Sequence, residues 1–264
     1  MISSLYKALT RRIFKLAYKV YEKKLWNEIK GGPIPAHVGL ILDGNRRWAR
    51  KIGLNHALGH EAGFEKLKEV LRWCWELGVK TVTIYAFSTE NFRRSKDEVE
   101  HLMKLAERGF KEVLANEDIH KNKVQVRAIG RVDLLPDFVK KAIEEAEAAT
   151  KSYDRHRLNV AIAYGGRAEI VDAAKRIAYE VQEGKLKPDE IDEEVFEQRL
   201  YTSGDPDPDL IIRTSGEERL SGFLLWQSAY SELCFLDVYW PDIRKIDLWR
   251  AIRTYQRRQR RFGL

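Results

Sequence analysis

Short apolar runs alternate with stretches of helical periodicity along most of this chain, and no other feature constrains its fold as strongly. Strands are predicted at His37–Leu42, Thr81–Phe87, Val124–Ile129 and Leu158–Ala163, with weaker ones at Leu210–Arg213 and Leu233–Phe235. Helical patterns cover residues 60–77, 97–116, 136–150, 168–183 and 247–261. Strands that alternate with helices indicate an α/β fold in which helices flank a central, mostly parallel sheet.

Residues 1–30 have the pattern of one basic amphipathic helix. Lys or Arg recurs about every fourth residue beside an apolar face. That face consists of Ile2, Leu5, Leu9, Ile13, Leu16 and Val20. Two interpretations stay open: the helix packs on its own domain, or it lies on an anionic membrane surface. Gly31-Gly32-Pro33 ends the segment, so residues 31–264 are predicted to form a single domain.

No run reaches the ~18 apolar residues of a membrane span, and no signal peptide is recognisable, because Lys and Arg interrupt every candidate. We therefore expect a cytoplasmic protein whose membrane contact, if it has one, is peripheral and at the inner face of the cell membrane. The two cysteines, Cys74 and Cys234, cannot build a disulfide scaffold or a thiolate zinc site.

The net charge of +7 is unevenly distributed along the chain. Residues 1–30 carry +6 and residues 244–264 carry +7, so residues 31–243 carry −6. A uniformly basic nucleic-acid binder has a different distribution, and we expect no nucleic-acid partner.

The segment after the first predicted strand, Asp43-Gly44-Asn45-Arg46-Arg47-Trp48, combines groups that bind metal ions and phosphates. Ligands of open parallel sheets bind outside the carboxyl ends of the strands. The Asp43 carboxylate can hold Mg²⁺, which takes its other ligands from water and substrate phosphates. Backbone amides from Gly44 to Arg47 can cradle an anion if they open a helix. By itself, Asp-Gly-Asn is also a common turn sequence.

Two more clusters of polar residues follow later strands. Ser88-Thr89-Glu90-Asn91-Phe92-Arg93-Arg94 offers hydroxyl, carboxylate, amide and guanidinium groups, although a helix cap explains it equally well. In the segment 209–221, Arg213, Arg219 and Ser221 are suited to a diphosphate, because guanidinium groups bind phosphate oxygens bidentately. A surface ion pair is the plainer interpretation of Arg219.

His60 and Glu232 are weaker candidates. A lone histidine before a helix is more often a cap or a packed side chain than a ligand. Glu232 lies beside a predicted strand, where an unpaired carboxylate would be costly to bury, and a metal ion would supply the countercharge.

Taken in order, these segments resemble the conserved blocks of the cis-prenyltransferases, the undecaprenyl diphosphate synthase family. The resemblance covers about residues 34–264, and no block is missing. It rests on His37-Val38 through Ala49, Gly59-His60-x-x-Gly63, Tyr85 through Arg94, Asp209 through Glu217, Leu224-Leu225-Trp226-Gln227, Tyr230-x-Glu232-Leu233 and the terminal Arg261-Phe262-Gly263. Each motif is weak alone, but the ordered set is specific.

The resemblance implies a Mg²⁺-dependent enzyme with residues 31–264 as its catalytic domain. Such enzymes add isopentenyl diphosphate to an allylic diphosphate primer. If the chain is archaeal, the resemblance favours geranylgeranyl diphosphate as the primer, with farnesyl diphosphate as the alternative. The product is a long-chain cis-polyprenyl diphosphate such as undecaprenyl diphosphate, the precursor of a glycosyl carrier lipid. Family members work as dimers, some of them heteromeric, and this chain, which has both Asp43 and the terminal Arg261-Phe262-Gly263, is expected to form a homodimer. The resemblance implies that Arg261 and Gly263 reach the active site of the partner.

Site residues carry over from the family by position. Asp43 and Asn91 are the implied catalytic residues, with Asp43 and Glu232 as metal ligands. The implied substrate-binding residues are Gly44, Asn45, Arg46, Arg47, Trp48, His56, His60, Ser88, Thr89, Glu90, Phe92, Arg94, Arg213, Arg219, Leu220, Ser221, Arg261 and Gly263. The resemblance also implies an apolar tunnel along Val99, Leu102, Met103, Leu105, Ala106, Phe110 and Val113.

Three departures from the family pattern bear on the primer and on the metal geometry. His56 replaces an arginine that binds the allylic diphosphate in bacterial members, Arg46 replaces a frequent glycine, and Glu218 replaces a histidine near the metal.

Three alternative functions remain. A trans-prenyltransferase is disfavoured because no Asp-Asp-x-x-Asp motif is present. The other two are a phosphohydrolase built on Asp43 and a basic membrane- or nucleic-acid-binding module without catalysis.

Overall fold

The computed structural model describes residues 17–258. These residues form two compact units, a larger one of residues 35–243 and a smaller one of residues 17–34 and 244–258. The C-terminal helix thus groups with the N-terminal segment, whereas the sequence-based division assigned it to the domain of residues 31–264. Predictions on residues 1–16 and 259–264 lie outside the described residues.

The larger unit is built on a six-stranded sheet with the order β3-β4-β2-β1-β5-β6, and every neighbouring pair is parallel. This confirms the α/β class, and all six predicted strands are present. Their bounds are β1 His37–Ile41, β2 Thr81–Ser88, β3 Val124–Ile129, β4 His156–Tyr164, β5 Leu210–Arg213 and β6 Glu232–Phe235.

Nine helices are described. α1 covers residues 17–29. The others are α2 Asn45–Lys51, α3 His56–Leu77, α4 Lys96–Val113, α5 Glu117–Lys121, α6 Asp137–Thr150, α7 Gly166–Gln182, α8 Glu193–Glu197 and α9 Lys245–Arg257. The helical periodicity located the long helices within a few residues. It missed α2, α5 and α8, which have seven, five and five residues and are too short to show a repeat.

In the smaller unit, α1 packs on α9. The Trp26 and Trp249 rings lie 5.2 Å apart, and Arg253 Nη1 donates to Glu28 Oε2 over 3.0 Å. Leu25 and Ile29 are buried, whereas Val20, assigned by the sequence to the apolar face, is 63% exposed. In residues 17–29, therefore, the fully buried part of the packed face lies in the C-terminal half of the helix, while Tyr21 also contacts α9 through a hydrogen bond from Arg250 Nε. Within residues 17–258, no helix is both long and apolar enough to cross a membrane.

His37 is buried at the amino end of β1, whereas Asp43 lies beyond the carboxyl end of the same strand. Its Nδ1 lies 2.6 Å from the Pro206 carbonyl oxygen, and its Nε2 lies 2.8 Å from Thr83 Oγ1. The arrangement suits a neutral ring that donates to Pro206 and accepts from Thr83. Burial lowers the pKa of His37 below its ordinary value, and the hydrogen bond to Pro206 offsets only part of that effect.

We expect this histidine to lower the free energy of unfolding as the pH decreases. Below a pH of about 6.5, the unfolded chain takes up a proton that folded His37 resists, so the free energy of unfolding decreases as the pH falls. Asp207, whose pKa burial raises to about 6, titrates nearby with the opposite sign, so the effect of His37 must be isolated by comparison with a variant.

The measurement is denaturant unfolding of the wild-type protein and of His37→Gln at several pH values. Below pH ~6.5, the wild type should lose up to about 1.4 kcal/mol per pH unit more than the variant. Parallel pH dependences for the two proteins would contradict the prediction.

Candidate active site

Asp43 and Arg213 meet at the carboxyl end of the sheet. β1 and β5 are neighbours with Ile41 opposite Arg213, so the segments that follow them leave the sheet side by side. Arg213 Nη2 donates to Asp43 Oδ2 over 2.8 Å. The Arg213 side chain is 5% exposed and that of Asp43 is 28% exposed. Asp43 therefore neutralises a buried cation while it still faces solvent.

The same guanidinium organises the loop after β5. Arg213 Nη1 donates to Ser221 Oγ over 2.8 Å and also to the Arg219 carbonyl oxygen. Its Nε is buried and has no hydrogen-bond partner within the described residues. Arg213 thus keeps one unused donor, of the kind that an oxygen of a bound anion satisfies.

Arg47 of α2 approaches Asp43 from the other side. Arg47 Nη2 lies 3.2 Å from Asp43 Oδ1 and donates to Ser215 Oγ over 2.6 Å. Its Nη1 donates to Glu217 Oε1 over 2.9 Å. The contacts to Ser215 and Glu217 link α2 to the loop after β5, a link that the sequence did not reveal.

These two arginines determine the charge state of Asp43. Burial alone would raise the pKa of Asp43, but the hydrogen bond and charge of Arg213, followed by the charge of Arg47, outweigh it. The pKa therefore lies below its ordinary value, and Asp43 is a carboxylate at neutral pH.

Gly44 is required where the chain turns from β1 into α2. Its φ is 108°, in the left-handed region, and an added Cβ would lie 2.8 Å from Tyr239 Cδ1. Helix α2 begins at the next residue, so the segment does open a helix, as the anion-cradle interpretation requires.

Two glycines of α3 make room for Asn45. A Cβ on Gly59 would lie 2.4 Å from the Asn45 carbonyl oxygen, and a Cβ on Gly63 would lie 2.4 Å from Asn45 Oδ1. The spacing of four residues places both glycines on one face of the helix. Asn45 Oδ1 is buried and has no hydrogen-bond partner in the described part of the chain.

A polar cleft of about 340 Å³ opens beside Asp43. Four arginines and a histidine line it, so its lining is strongly basic. The lining residues are Leu42, Asp43, Gly44, Asn45, Arg46, Arg47, Arg50, His60 and Arg94. Arg50 was not predicted from the sequence, which offered no motif for it.

An apolar cavity of about 200 Å³ adjoins the cleft. Leu42, Asn45 and His60 line both spaces and mark the junction between them. Of the tunnel residues predicted on α4, Leu102, Leu105, Ala106, Phe110 and Val113 line the cavity, whereas Val99 and Met103 do not. The site therefore joins a basic cleft to an apolar space.

Glu98 binds three of the basic side chains near the cleft and was missed by the sequence analysis. Its Oε1 accepts from Arg94 Nη1 over 2.8 Å and lies 3.2 Å from His60 Nε2 and 3.8 Å from Arg46 Nε. Burial raises the pKa of Glu98, but His60 and Arg94 outweigh that effect and hold it below the ordinary value. Burial lowers the pKa of His60. The only sequence signal for Glu98 is its spacing of four from Arg94.

The segment Ser88–Arg94 begins at the last residue of β2, at the same end of the sheet as Asp43, and only Arg94 of it lines the cleft. Asn91 Oδ1 accepts from the Ser88 backbone N–H over 3.1 Å, the capping arrangement that the sequence offered as an alternative. The Phe92 ring packs edge-on against Phe87, with centroids 4.8 Å apart. Thr89 and Glu90 lie with Asn91 and Phe92 in a 3₁₀ helix that covers Thr89–Arg93.

Four other predicted residues lie around the cleft rather than in its lining. His56, the first residue of α3, lines a neighbouring cavity of about 640 Å³ that shares Arg50 and His60 with the cleft. Trp48 Nε1 donates to Asp242 Oδ1 over 2.9 Å. Arg219 is exposed and pairs with Glu217, as its plainer interpretation holds. Leu220 packs on the core.

Glu232 lies at the other end of the sheet from Asp43. It is the first residue of β6, opposite Leu210 at the start of β5, whereas Asp43 lies beside Arg213 at the end of β5. At about 3.3 Å per residue, the length of β5 alone separates these levels by roughly 10 Å. A single chain therefore does not bring the two predicted metal ligands together. Arg261 and Gly263 lie outside the described residues.

Asp43 alone fits a magnesium ion that arrives with substrate. No group of three or more His, Cys, Asp or Glu side chains placed to hold a metal occurs within residues 17–258. Mg²⁺ is commonly held by one or two carboxylates plus substrate phosphates and water. An ionised, partly exposed carboxylate at the edge of a basic cleft meets that requirement.

Comparison with known proteins decides the family. A family model described as "Putative undecaprenyl diphosphate synthase" matches residues 41–263. The chain belongs to this family. The match spans the whole polar cleft and the apolar cavity, from Leu42 to Ile162.

Archaeal members of the family are similar over nearly the whole chain. The chain is 58% identical over 249 residues to the tritrans,polycis-undecaprenyl-diphosphate synthase (geranylgeranyl-diphosphate specific) of Methanopyrus kandleri, covering 94% of this chain and 92% of that protein. The protein of the same name from Thermococcus kodakarensis is 55% identical over 251 residues, covering 95% of each chain.

Two solved structures share the fold. Lavandulyl diphosphate synthase from Lavandula x intermedia, in complex with dimethylallyl diphosphate, superposes with a TM-score of 0.83 at 40% identity, covering 88% of this chain and 99% of that one. A probable undecaprenyl diphosphate synthase from Campylobacter jejuni gives a TM-score of 0.71 at 35% identity, covering 88% and 100%.

Proposed function

We propose that this prenyltransferase is a Mg²⁺-dependent cis-prenyltransferase that adds isopentenyl diphosphate repeatedly to geranylgeranyl diphosphate. The product is a long-chain cis-polyprenyl diphosphate such as undecaprenyl diphosphate. The observation that carries the proposal is the junction of the basic cleft with the apolar cavity at Leu42, Asn45 and His60. An allylic diphosphate has one charged end and one hydrocarbon end, and this junction suits both. The names of the archaeal relatives support the primer and the product.

The cleft binds the diphosphate of the allylic primer. Arg46, Arg47 and Arg94 line it, and each can exchange a carboxylate partner for phosphate oxygens. Asn45, the first residue of α2, lies against the two glycines of α3, and with His60 it orients the first carbons of the primer at the cavity mouth.

Isopentenyl diphosphate binds on the other side of Asp43, at the loop after β5. Arg213 and Ser221 are already hydrogen-bonded to each other there, and Arg213 Nε is a free donor for a diphosphate oxygen. Arg219 extends from the same loop and exchanges Glu217 for a phosphate oxygen.

The reaction needs charge stabilisation more than it needs a base. The allylic C–O bond breaks, diphosphate leaves with the electron pair, and the double bond of isopentenyl diphosphate forms the new carbon–carbon bond. The adduct then loses one proton to the released diphosphate or to water. Arg46, Arg47 and Arg94 stabilise the charge on the leaving diphosphate. Asn91, whose Oδ1 is engaged by the Ser88 N–H, positions substrate rather than accepting the proton.

Magnesium would be held by Asp43 together with diphosphate oxygens. When bound, it supplies electrostatic neutralisation of the leaving diphosphate. Because Arg47 and Arg213 already neutralise Asp43, the free enzyme should bind Mg²⁺ weakly and take it up with the diphosphate.

The test is incubation with labelled isopentenyl diphosphate and Mg²⁺, with geranylgeranyl or farnesyl diphosphate as primer. We expect long polyprenyl diphosphates with new cis double bonds, faster formation from the geranylgeranyl primer, and no product in EDTA. New trans double bonds would indicate a trans-prenyltransferase. Phosphate release without chain growth would indicate a phosphohydrolase. Either result, or no product from both primers, would overturn the proposal.

The enzyme works as a homodimer in which Arg261 and Gly263 complete the active site of the partner. Mixing two inactive variants, Asp43→Asn and Arg261→Ala, tests this directly. If Arg261 acts on the partner, mixed dimers contain one intact site and part of the activity returns. No recovery on mixing, or equal specific activity of monomer and dimer across a dilution series, would refute the shared site.

Residues 1–30 place the enzyme at the inner face of the cell membrane, where its lipid product is used. The variant Lys7→Glu/Arg11→Glu/Lys15→Glu reverses charge in this segment and leaves residues 17–29 unchanged. We expect the wild-type protein, but not this variant, to co-sediment with vesicles that contain anionic lipid. Equal co-sedimentation of the two proteins would refute the contact.

Gly63→Ala should impair primer use more than it impairs folding. The added Cβ would lie 2.4 Å from Asn45 Oδ1, and the amide, at the end of a flexible side chain, would rotate away. We expect kcat/KM for the allylic primer to fall about tenfold, or roughly 1.4 kcal/mol. Thermal unfolding should change little. Gly31→Ala is the control, because its added Cβ meets nothing within 4 Å. Unchanged kinetics in Gly63→Ala would contradict the role of Asn45.

A further inference from the structure

The apolar cavity is too small for the product that the proposed function requires. Its volume of about 200 Å³ lies below the ~300–1,000 Å³ of pockets that enclose drug-sized ligands, and a polyprenyl chain of undecaprenyl length is larger than such ligands. One wall of the cavity must therefore move as the chain grows. The wall formed by β2, β3 and β4 is held by backbone hydrogen bonds between parallel strands. The wall formed by α3 and α4 has no such bonds.

Ion pairs connect α3 to α4 across that wall. Lys68 Nζ lies 2.6 Å from Glu112 Oε2, and Arg108 pairs with Glu61. We call these four residues, Glu61 and Lys68 of α3 with Arg108 and Glu112 of α4, the α3–α4 seam. Arg108 Nε also lies 3.7 Å from Glu112 Oε1, which connects the two pairs.

The seam covers a close apolar contact. Phe64 of α3 packs against Gly109 of α4, where an added Cβ would lie 3.0 Å from Phe64 Cε2. Lys68 Nζ and the Arg108 guanidinium stand over the Phe64 ring, 4.6 Å and 5.1 Å from its centroid. The two cations of the seam therefore hold Phe64 against Gly109 in the closed wall.

Lys68 and Glu112 lie toward the end of the cavity that is remote from the cleft. Lys68 follows His60, at the mouth, by eight residues of α3, or about 12 Å along the helix. Glu112 follows Glu98, which binds His60, by fourteen residues of α4, or about 21 Å. Both residues line the cavity, so a growing hydrocarbon meets this charged pair only after it has filled the nearer part.

The seam is also weak enough to open. The Lys68 and Glu112 side chains are 28% and 37% exposed, and ion pairs so close to solvent contribute little and are screened by salt. We propose that the Lys68–Glu112 ion pair, within the α3–α4 seam, determines product length by holding the distant part of the cavity wall closed. This inference rests on the proposed function.

The test is product-length analysis of Lys68→Met and Glu112→Gln with labelled isopentenyl diphosphate and a geranylgeranyl primer. We expect both variants to shift the product distribution to chains longer by at least one isoprene unit. Lys111→Met is the matched control, because Lys111 pairs with Glu107 at the same 2.6 Å separation but within α4 alone. Unchanged or shorter products from Lys68→Met and Glu112→Gln would overturn the inference.

A salt series keeps the test decisive if a variant folds poorly. Raising KCl from about 0.1 M to about 1 M reduces the screening length from about 10 Å to about 3 Å. Wild-type products should then lengthen, and those of Glu112→Gln should respond less. No lengthening of wild-type products, or an equal response of both proteins, would overturn the inference. If the wild type makes no polyprenyl product under any condition, the proposed function fails instead.

Discussion

Asp43→Asn should reduce chain elongation by at least about 100-fold, the loss that follows removal of one preorganised electrostatic group in an active site. The substitution keeps the shape of the side chain and removes its charge. Arg213 and Arg47 both bind this carboxylate, and their charges hold its pKa below the ordinary value. The wild-type enzyme therefore has the charged form throughout the neutral range, and the variant never does.

The assay is incorporation of labelled isopentenyl diphosphate into product, measured at saturating Mg²⁺. Asp154→Asn is the control, because it makes the same chemical change at an exposed position between α6 and β4. Elongation within a few-fold of the wild-type rate in Asp43→Asn would remove Asp43 from the proposed mechanism and would favour binding without catalysis.

A second variant separates catalysis from stability. Asp43→Asn leaves the buried Arg213 guanidinium without its countercharge, and we expect the free energy of unfolding to fall by about 1–3 kcal/mol. Asp43→Asn/Arg213→Met removes both charges and should recover part of that loss. It should recover no activity. Activity that rises with stability in the double variant would show that Asp43 acts only through folding.

Arg213→Lys should lower kcat/KM for isopentenyl diphosphate on the order of 100-fold, although the charge is retained. The Arg213 guanidinium donates hydrogen bonds to the Asp43 carboxylate, the Ser221 hydroxyl and the Arg219 carbonyl at the same time. A lysine ammonium is a point charge that lacks the planar fork, so it cannot reach all three acceptors. The loop after β5 then loses the contact that orients Ser221.

Steady-state kinetics with each substrate varied in turn measures this effect. The KM for isopentenyl diphosphate should rise more than that for the allylic primer, which binds on the Arg47 side of Asp43. Arg155→Lys, at an exposed position before β4, controls for the substitution itself. Equal changes for both substrates would contradict the assignment of the loop after β5 to isopentenyl diphosphate.

The sequence predicted the sheet well because its central strands are buried on both faces. All five residues of β1 are buried, and such strands appear as short apolar runs bounded by turn residues. The helices α3 and α7 begin four and two residues earlier than predicted, at His56 and Gly166, because polar or small residues at their starts weaken the repeat. Periodicity reports the burial of large apolar side chains, and the first turns of these two helices contain few of them.

The site was predictable where it depends on strand ends and not where it depends on tertiary packing. Asp43 follows β1 and Arg213 ends β5, so the rule for open sheets placed both at the carboxyl end of the sheet. Glu98 reaches His60 from a different helix, thirty-eight residues away, and no local pattern encodes that contact. A single chain does not bring Glu232 to Asp43, because β6 runs parallel to β5 and Glu232 is its first residue. The sequence of β6 alone does not show that direction.

The interior position of β1 in the sheet has a consequence for synthesis on the ribosome. Of the six strands of the sheet, β1 is made first, yet one of its two partners is β5, and the Asp43–Arg213 pair spans 170 residues. At ~5–20 residues per second, roughly 10 to 30 s pass before β5 emerges, and during that time β1 has an unpaired, apolar edge. The nascent chain is therefore most prone to aggregate before Leu210–Arg213 is made. The pairing of β5 with β1 covers this edge and also brings Arg213 to Asp43 at the centre of the active site. A truncated chain that ends before β5 should therefore be both inactive and bound by chaperones.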